Sequence, residues 1–327
     1  MSSMVNPPRR ALLAAAAAAF FASGCQQQGD DDERRAAGRE AARAPEAGEG
    51  ASEPTVELLS AGSEPRRELR YALAPGSSER VTVELDMEMA MTLGDAPSPP
   101  VQLPRMRMVL DLTVDEALED AARYTFELTD AKTLDADGVD PSVLRAIEQG
   151  LFHAVGTGGS AQIDDRGFIR FIGMEIGEDA PAETRQMMET TAQQMEQLSS
   201  PLPAEPVGVG ARWEVIQHLE QNGIALVQTS VMTLESVDGD SGRVVASTRQ
   251  HADPQVVDMP GAMAGARAEL LELRGRRDGE LAFDLTRLMP VRGQMRTESE
   301  SRFEVDVGSG TQPMTMHMDV QITLEGS

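Results

Sequence analysis

Val81-Thr82-Val83-Glu84-Leu85-Asp86-Met87-Glu88-Met89-Ala90-Met91-Thr92-Leu93 alternates without a slip: the odd positions are all apolar, and the even ones are Thr, Glu, Asp, Glu, Ala and Thr. Successive side chains of a strand point to opposite faces, so this stretch predicts one long strand with a buried and a solvated side. Met106, Met108, Leu110, Leu112 and Val114 repeat the pattern, and Tyr124, Phe126 and Leu128 carry it into a third segment. The Pro-rich residues 96–104 read as the loop between the first two.

Further along, residues 213–219 and 224–234 flank Asn222-Gly223, the strongest short hairpin signal. Segments 243–250, 270–274, 280–285, 294–307 and 314–324 complete the expected strands. Two helical patterns interrupt them. Asp140 can cap a helix with Pro141 in its first turn and Val143, Leu144, Ile147 and Leu151 on one face. A second helix is expected over residues 181–198, with Thr184, Met187, Met188, Thr191, Met195 and Leu198 along one side. Between the two, Ile163 and Phe168 flank the turn Asp164-Asp165-Arg166-Gly167. The order strands, helix, hairpin, helix, strands predicts an α+β fold with an antiparallel sheet. Strands this long with one apolar face must curl around side chains or be covered. The expected architecture is therefore a curved, half-barrel-like sheet with two covering helices.

Near the start of the chain, Arg9 and Arg10 precede an unbroken apolar run over residues 11–22. The run is shorter than the roughly 20 residues that span a bilayer, and its basic flank and small-residue end predict an export signal. Ala22-Ser23-Gly24-Cys25 resembles the lipobox of bacterial lipoproteins, with Ala22 where Leu is usual. The resemblance implies that cleavage exposes Cys25, that its sulfur and amine are acylated, and that these chains hold the protein on a membrane. Gln26 after the cysteine implies, by enterobacterial sorting rules, the outer membrane of a Gram-negative envelope. Residues 26–66 hold almost no large apolar side chain before Val56 and carry the run Asp30-Asp31-Asp32-Glu33. Such a segment cannot offset its ordering entropy and reads as a tether of coil dimension roughly 35 Å. The expected organisation is a signal peptide over 1–24, a disordered acidic tether over 25–66 and a β-rich globular domain over 67–327.

Composition removes several functions. With 54 acidic against 29 basic side chains the formal charge is -25, which disfavours nucleic acid as a partner. One cysteine permits no internal disulfide and no cysteine-based metal site. Gly239-Asp240-Ser241-Gly242 resembles the nucleophile loop of trypsin-like proteases, but it sits between alternating runs and reads as a hairpin turn. Asp135, Asp137 and Gly138 suggest a calcium loop until aligned on Gly138, when Thr133 and Leu144 fall on ligand positions. Gly156-Thr157-Gly158-Gly159 lacks the Lys-Ser/Thr ending of a phosphate loop. No catalytic residue, cofactor motif or metal site is assigned.

Methionine is the unusual feature. Met87, Met89 and Met91, then Met106 and Met108, then Met314, Met316 and Met318 each recur at every second position, so each set forms a thioether row on one face. Copper(I) would need converging sulfurs, and His317 falls on the opposite face, so the rows read as core or as the lining of an adaptable apolar cavity. They could be neighbours only if the last strand returns beside the first long one.

The pattern of long one-faced strands resembles periplasmic lipoprotein carriers and related lipid-binding lipoproteins, in which a curved sheet encloses an apolar cavity. Three segments also resemble an uncharacterised family of exported β-rich domains of unknown function: Leu69-Arg70-Tyr71 through Pro75-Gly76, Leu202-Pro203-Ala204-Glu205-Pro206-Val207-Gly208-Val209-Gly210-Ala211-Arg212-Trp213, and Gly279-Glu280-Leu281-Ala282-Phe283-Asp284. This second likeness transfers no activity. The expected function is a lipid-anchored, non-catalytic binding module for a lipid or other apolar ligand. The alternative is a structural envelope lipoprotein with a packed core, and a protein partner is left open.

Overall fold

The computed structural model describes residues 53–94, 96–97, 100–174, 201–221, 223–258, 267–306 and 310–327. Cys25, most of the tether and the expected helix over 181–198 lie outside them. The described chain is almost entirely strand: β1 (Thr55–Ser60), β2 (Ser78–Leu93), β3 (Ala96–Pro97), β4 (Val101–Gln102), β5 (Arg105–Ala117), β6 (Ala121–Asp135), β7 (Gly158–Asp164), β8 (Ile169–Met174), β9 (Arg212–Gln221), β10 (Ile224–Asp238), β11 (Ser241–Ala252), β12 (Gln255–Asp258), β13 (Arg267–Asp284), β14 (Arg292–Asp306) and β15 (Thr311–Gly326). One helix, α1 (Pro141–Ala154), stands among them. The expected α+β fold with two covering helices is thus corrected to a nearly all-β molecule built on a single large antiparallel sheet. Among the described residues, long meandering strands rather than helices account for most of the structure.

The order along the sheet is β1-β9-β10-β11-β13-β14-β15-β2-β5-β6-β7-β8, with β12 beside β13 and the short β3 and β4 beside β2. Two meanders, one starting at β2 and one at β9, are joined where β15 returns to pair with β2. The ends of this path approach each other. Arg170 of β8 reaches the carboxylate of Glu53, just before β1, at 2.5 Å. The β7–β8 turn also joins the segment leading into β9, where the Leu202 amide donates to the Arg166 carbonyl at 2.8 Å. The sheet therefore rolls until its two ends meet at one rim, and its apolar face lies inside.

Local signals explain most elements. Ile224 pairs with Gln221, and Gly223 between them takes φ +75°. Asp140 accepts the Ser142 amide at 2.8 Å as the N-cap of α1, whose Val143, Ile147 and Leu151 are buried. Those three lie on the inner face over Met89 and Met106. The folded part begins earlier than the sequence suggested: Thr55–Ser60 pairs with β9, because Val56 and Leu58 pack on the cluster around Trp213. Gly208 is required where this entry segment crosses it, since a Cβ there would fall 1.9 Å from the Ser63 carbonyl oxygen.

Segments 270–274 and 280–285 are not two strands but parts of β13, which pairs with β14 through Gly275 and Gly279. Glycines usually weaken a strand. Here the space beside each is taken by a neighbour, Gln250 at Gly275 and Met295 at Gly279, so the ladder continues.

The chain's two tyrosines offer a test of burial. Burial pushes the Tyr124 phenol up to about 12, and burial joined by the charge of Glu79 does the same for Tyr71. Their unfolded values lie near 10. A raised folded-state pKa contributes stability that is complete below about pH 10 and lost as the pH climbs towards 12. Tyrosinate absorbance should accordingly stay flat through about pH 10 while the protein is folded, then rise together with loss of stability. Ionisation near pH 10 with the fold intact would place these rings in water.

Candidate functional site on the inner face of the sheet

Strand register lines up the inner-face residues in rows across the sheet. One row runs Trp213, Met232, Ala246, Gly279, Met295, Ile322, Leu85 and Met106. The next runs Val215, Ser230, Thr248, Arg277, Thr297, Val320 and Met87. A third runs Gln217, Gln228, Gln250, Gly275, Ser299, Met318 and Met89, and beyond it Leu273, Ser301, Met316 and Met91 follow.

The methionine rows do become neighbours. Met316 pairs with Met91 and Met318 with Met89 across the β15–β2 ladder, while Met106 and Met108 stand opposite Leu85 and Val83 on β5. Met89, Met106 and Met314 are buried, the first two under α1. Met87, Met91, Met108, Met316 and Met318 are only half-buried. His317 points to the outer face, where its Nδ1 lies 3.5 Å from Glu300.

The middle of the inner face on β9 to β14 is polar, which the sequence reading missed. Gln250 Nε2 donates to Gln228 Oε1, and Gln228 Nε2 to Gln217 Oε1, each at 2.8 Å. The Ser230 and Thr248 hydroxyls are 2.9 Å apart. Arg277 Nε donates to Thr297 Oγ1 at 2.9 Å. This belt separates an apolar cluster around Trp213, Met232 and Leu234 from another around Leu219, Leu226 and Leu270.

Charge is distributed unevenly between the two faces. On the inner positions of β2, β5, β9, β10, β11, β13, β14 and β15 the formal charges are Glu79 and Arg277. Glu79, near the start of β2, accepts the amides of Leu288 at 2.7 Å and Met289 at 3.3 Å and lies 3.5 Å from Arg287 Nε. Arg277 is half-buried and pairs with no carboxylate among the described residues. Burial pulls its pKa down, though an arginine remains charged near neutral pH. Its strand neighbours differ: on the outer face Arg276 binds Asp278 at 2.6 Å and Arg274 binds Glu272. Arg277 could have been found from the sequence, because Leu273, Gly275, Arg277, Gly279 and Leu281 continue the period-two face. The two glycines hid that continuity.

Other sequence candidates sit elsewhere. Ser241 follows the β10–β11 hairpin turn, and its hydroxyl donates to Asp284 Oδ2 at 3.3 Å. Asp135 binds Arg105 at 2.7 Å. Among the described residues no three His, Cys, Asp or Glu side chains converge on a metal position. An open groove of about 570 Å³ lies between α1 and β6, lined by Asp130, Lys132, Glu148 and Phe152 among others. No protein-family model matches the chain, and no curated protein matches it either.

Proposed function

We propose that this is a lipid-anchored protein of the cell envelope, held through Cys25 on the outer membrane of a Gram-negative bacterium, whose folded domain binds a lipid or other apolar ligand without catalysing a reaction. The lipobox-like residues Ala22-Ser23-Gly24-Cys25 support the anchor, and the pattern of long one-faced strands, similar to that of lipoprotein carriers, supports the binding role. One observation carries it: methionines from both ends of the domain lie side by side on the inner face, and five of them are only half-buried, with Met87, Met91 and Met316 at the margins of the apolar clusters. Methionine is unbranched and polarisable, so such a surface can re-pack around ligands of different shape. The packed-core alternative draws on Met89, Met106 and Met314, which α1 and neighbouring strands bury.

A neutral apolar dye separates the two. If the methionines line a ligand space, the dye binds the folded protein saturably, and Met318→Trp or Met91→Trp blocks binding with little loss of stability. If they are core, these changes overpack it at roughly 1–3 kcal/mol, and no dye binds before unfolding. For the anchor, Cys25→Ser is expected to abolish fatty-acid labelling and leave the protein uncleaved or soluble in the periplasm. Undiminished labelling of that variant would refute lipidation at Cys25.

A further inference from the structure

We infer that the ligand is an amphiphile with one negatively charged head group, and that Arg277 is the residue that receives it. This rests on the proposed ligand-binding reading of the inner face and adds the head-group chemistry. Arg277 stands in mid-strand on the inward side of the rolled sheet, with Thr248 and Thr297 directly beside it in the same row. Its Nε is engaged by Thr297 Oγ1 at 2.9 Å. No carboxylate among the described residues meets its guanidinium, in a chain whose formal charge is -25. The other inward charge, Glu79, is held by Arg287 and two backbone amides. It is also eight positions along β2 from Met87, the residue in the row of Arg277, or roughly 26 Å at strand rise.

A partly desolvated cation without a counter-charge is costly, and buried charges are ordinarily paired. An acidic protein that keeps a single, already satisfied carboxylate, Glu79, on the inner positions of these strands and turns Arg277 inward has left the pairing of that arginine to something else. The guanidinium fork matches carboxylate and phosphate oxygens bidentately, and the hydroxyls of Thr248 and Thr297 stand on either side of it in the same row. The half-buried Met87 and Met318 continue the rows of Arg277 and Gln250 across β15 and β2, so a tail can lie along them while the head sits at Arg277. A single arginine suits one negative charge, which a fatty carboxylate or a phosphodiester lipid would equally supply.

The test uses the full chain carrying Cys25→Ser, so that no acyl chain of its own competes. Binding of oleate, oleoyl lysophosphatidylglycerol, oleyl alcohol and inorganic phosphate is measured by displacement of the neutral dye and by calorimetry. Oleate or the lysolipid should bind at least roughly tenfold more tightly than oleyl alcohol, and Arg277→Gln should remove that advantage while leaving oleyl alcohol binding and the melting temperature unchanged or raised. The stronger of the two anionic lipids identifies the head group, whereas tight inorganic phosphate with no gain from a tail would overturn the amphiphile. Equal binding of oleate and oleyl alcohol, or an unaffected Arg277→Gln variant, would overturn the role of Arg277 and leave the apolar-ligand reading standing. Binding of none of them would overturn both.

Discussion

Met89→Asp should destabilise the domain by several kcal/mol, a large part of the 5–15 kcal/mol that typically holds a domain together. Met89 is 7% exposed and packs with Met106 under Val143, Ile147 and Leu151 of α1. A carboxylate there would lose its hydration with no donor or cation in that cluster to replace it. The adjacent Glu88→Lys is the control. Glu88 is exposed on the outer face and stands opposite Asp319, so a lysine gains a cross-strand attraction in place of a repulsion. Its effect should stay within about 0.5 kcal/mol. Urea unfolding of the two variants would show well-separated midpoints, and matching midpoints would mean that the inward and outward faces of β2 are misassigned.

A loss of about 3–5 kcal/mol is expected for Trp213→Ala. Trp213 is 1% exposed, sits opposite Leu58 of β1 and Met232 of β10, and donates its indole N–H to the Pro201 carbonyl at 3.2 Å. Truncation would open a cavity where the first strand, the entry segment and β9 converge, and would loosen β1 in particular. Trp213→Phe keeps most of the apolar volume and drops the N–H, so it should cost far less than the alanine variant. Circular dichroism follows the unfolding, since the single Trp is the residue removed. If alanine and phenylalanine were equally tolerated, Trp213 would not be the anchor of this cluster.

The long strands were legible because alternation is a local signal: Val81 to Leu93, Met106 to Val114 and Met314 to Leu324 each announce a one-faced strand in their own residues. The hairpin at Gly223 and the cap at Asp140 were legible for the same reason. What could not be read was pairing over long distances. Nothing local says that β15 returns to β2, and only that return makes the methionine rows adjacent. The class assignment failed in the balance between helix and strand: residues 55–60 read as tether and residues 275–279 lay outside the expected strands, yet both are strand. Val56 and Leu58 alternate over too few residues to stand out from an acidic tether. The polar belt was missed because its members, Gln217, Gln228, Ser230, Thr248 and Thr297, look like solvated positions until register stacks them on the inner face.

Native mass spectrometry of the protein purified from the cells that make it tests the central claim, that the rolled sheet holds an amphiphile, most directly. The expected spectrum shows folded, low-charge states carrying the mass of one lipid beyond that of the denatured protein, an excess that disappears when the protein is unfolded and that Arg277→Gln diminishes. Folded states at the mass of the denatured protein alone, together with no saturable dye binding, would contradict it and leave a packed structural domain in its place.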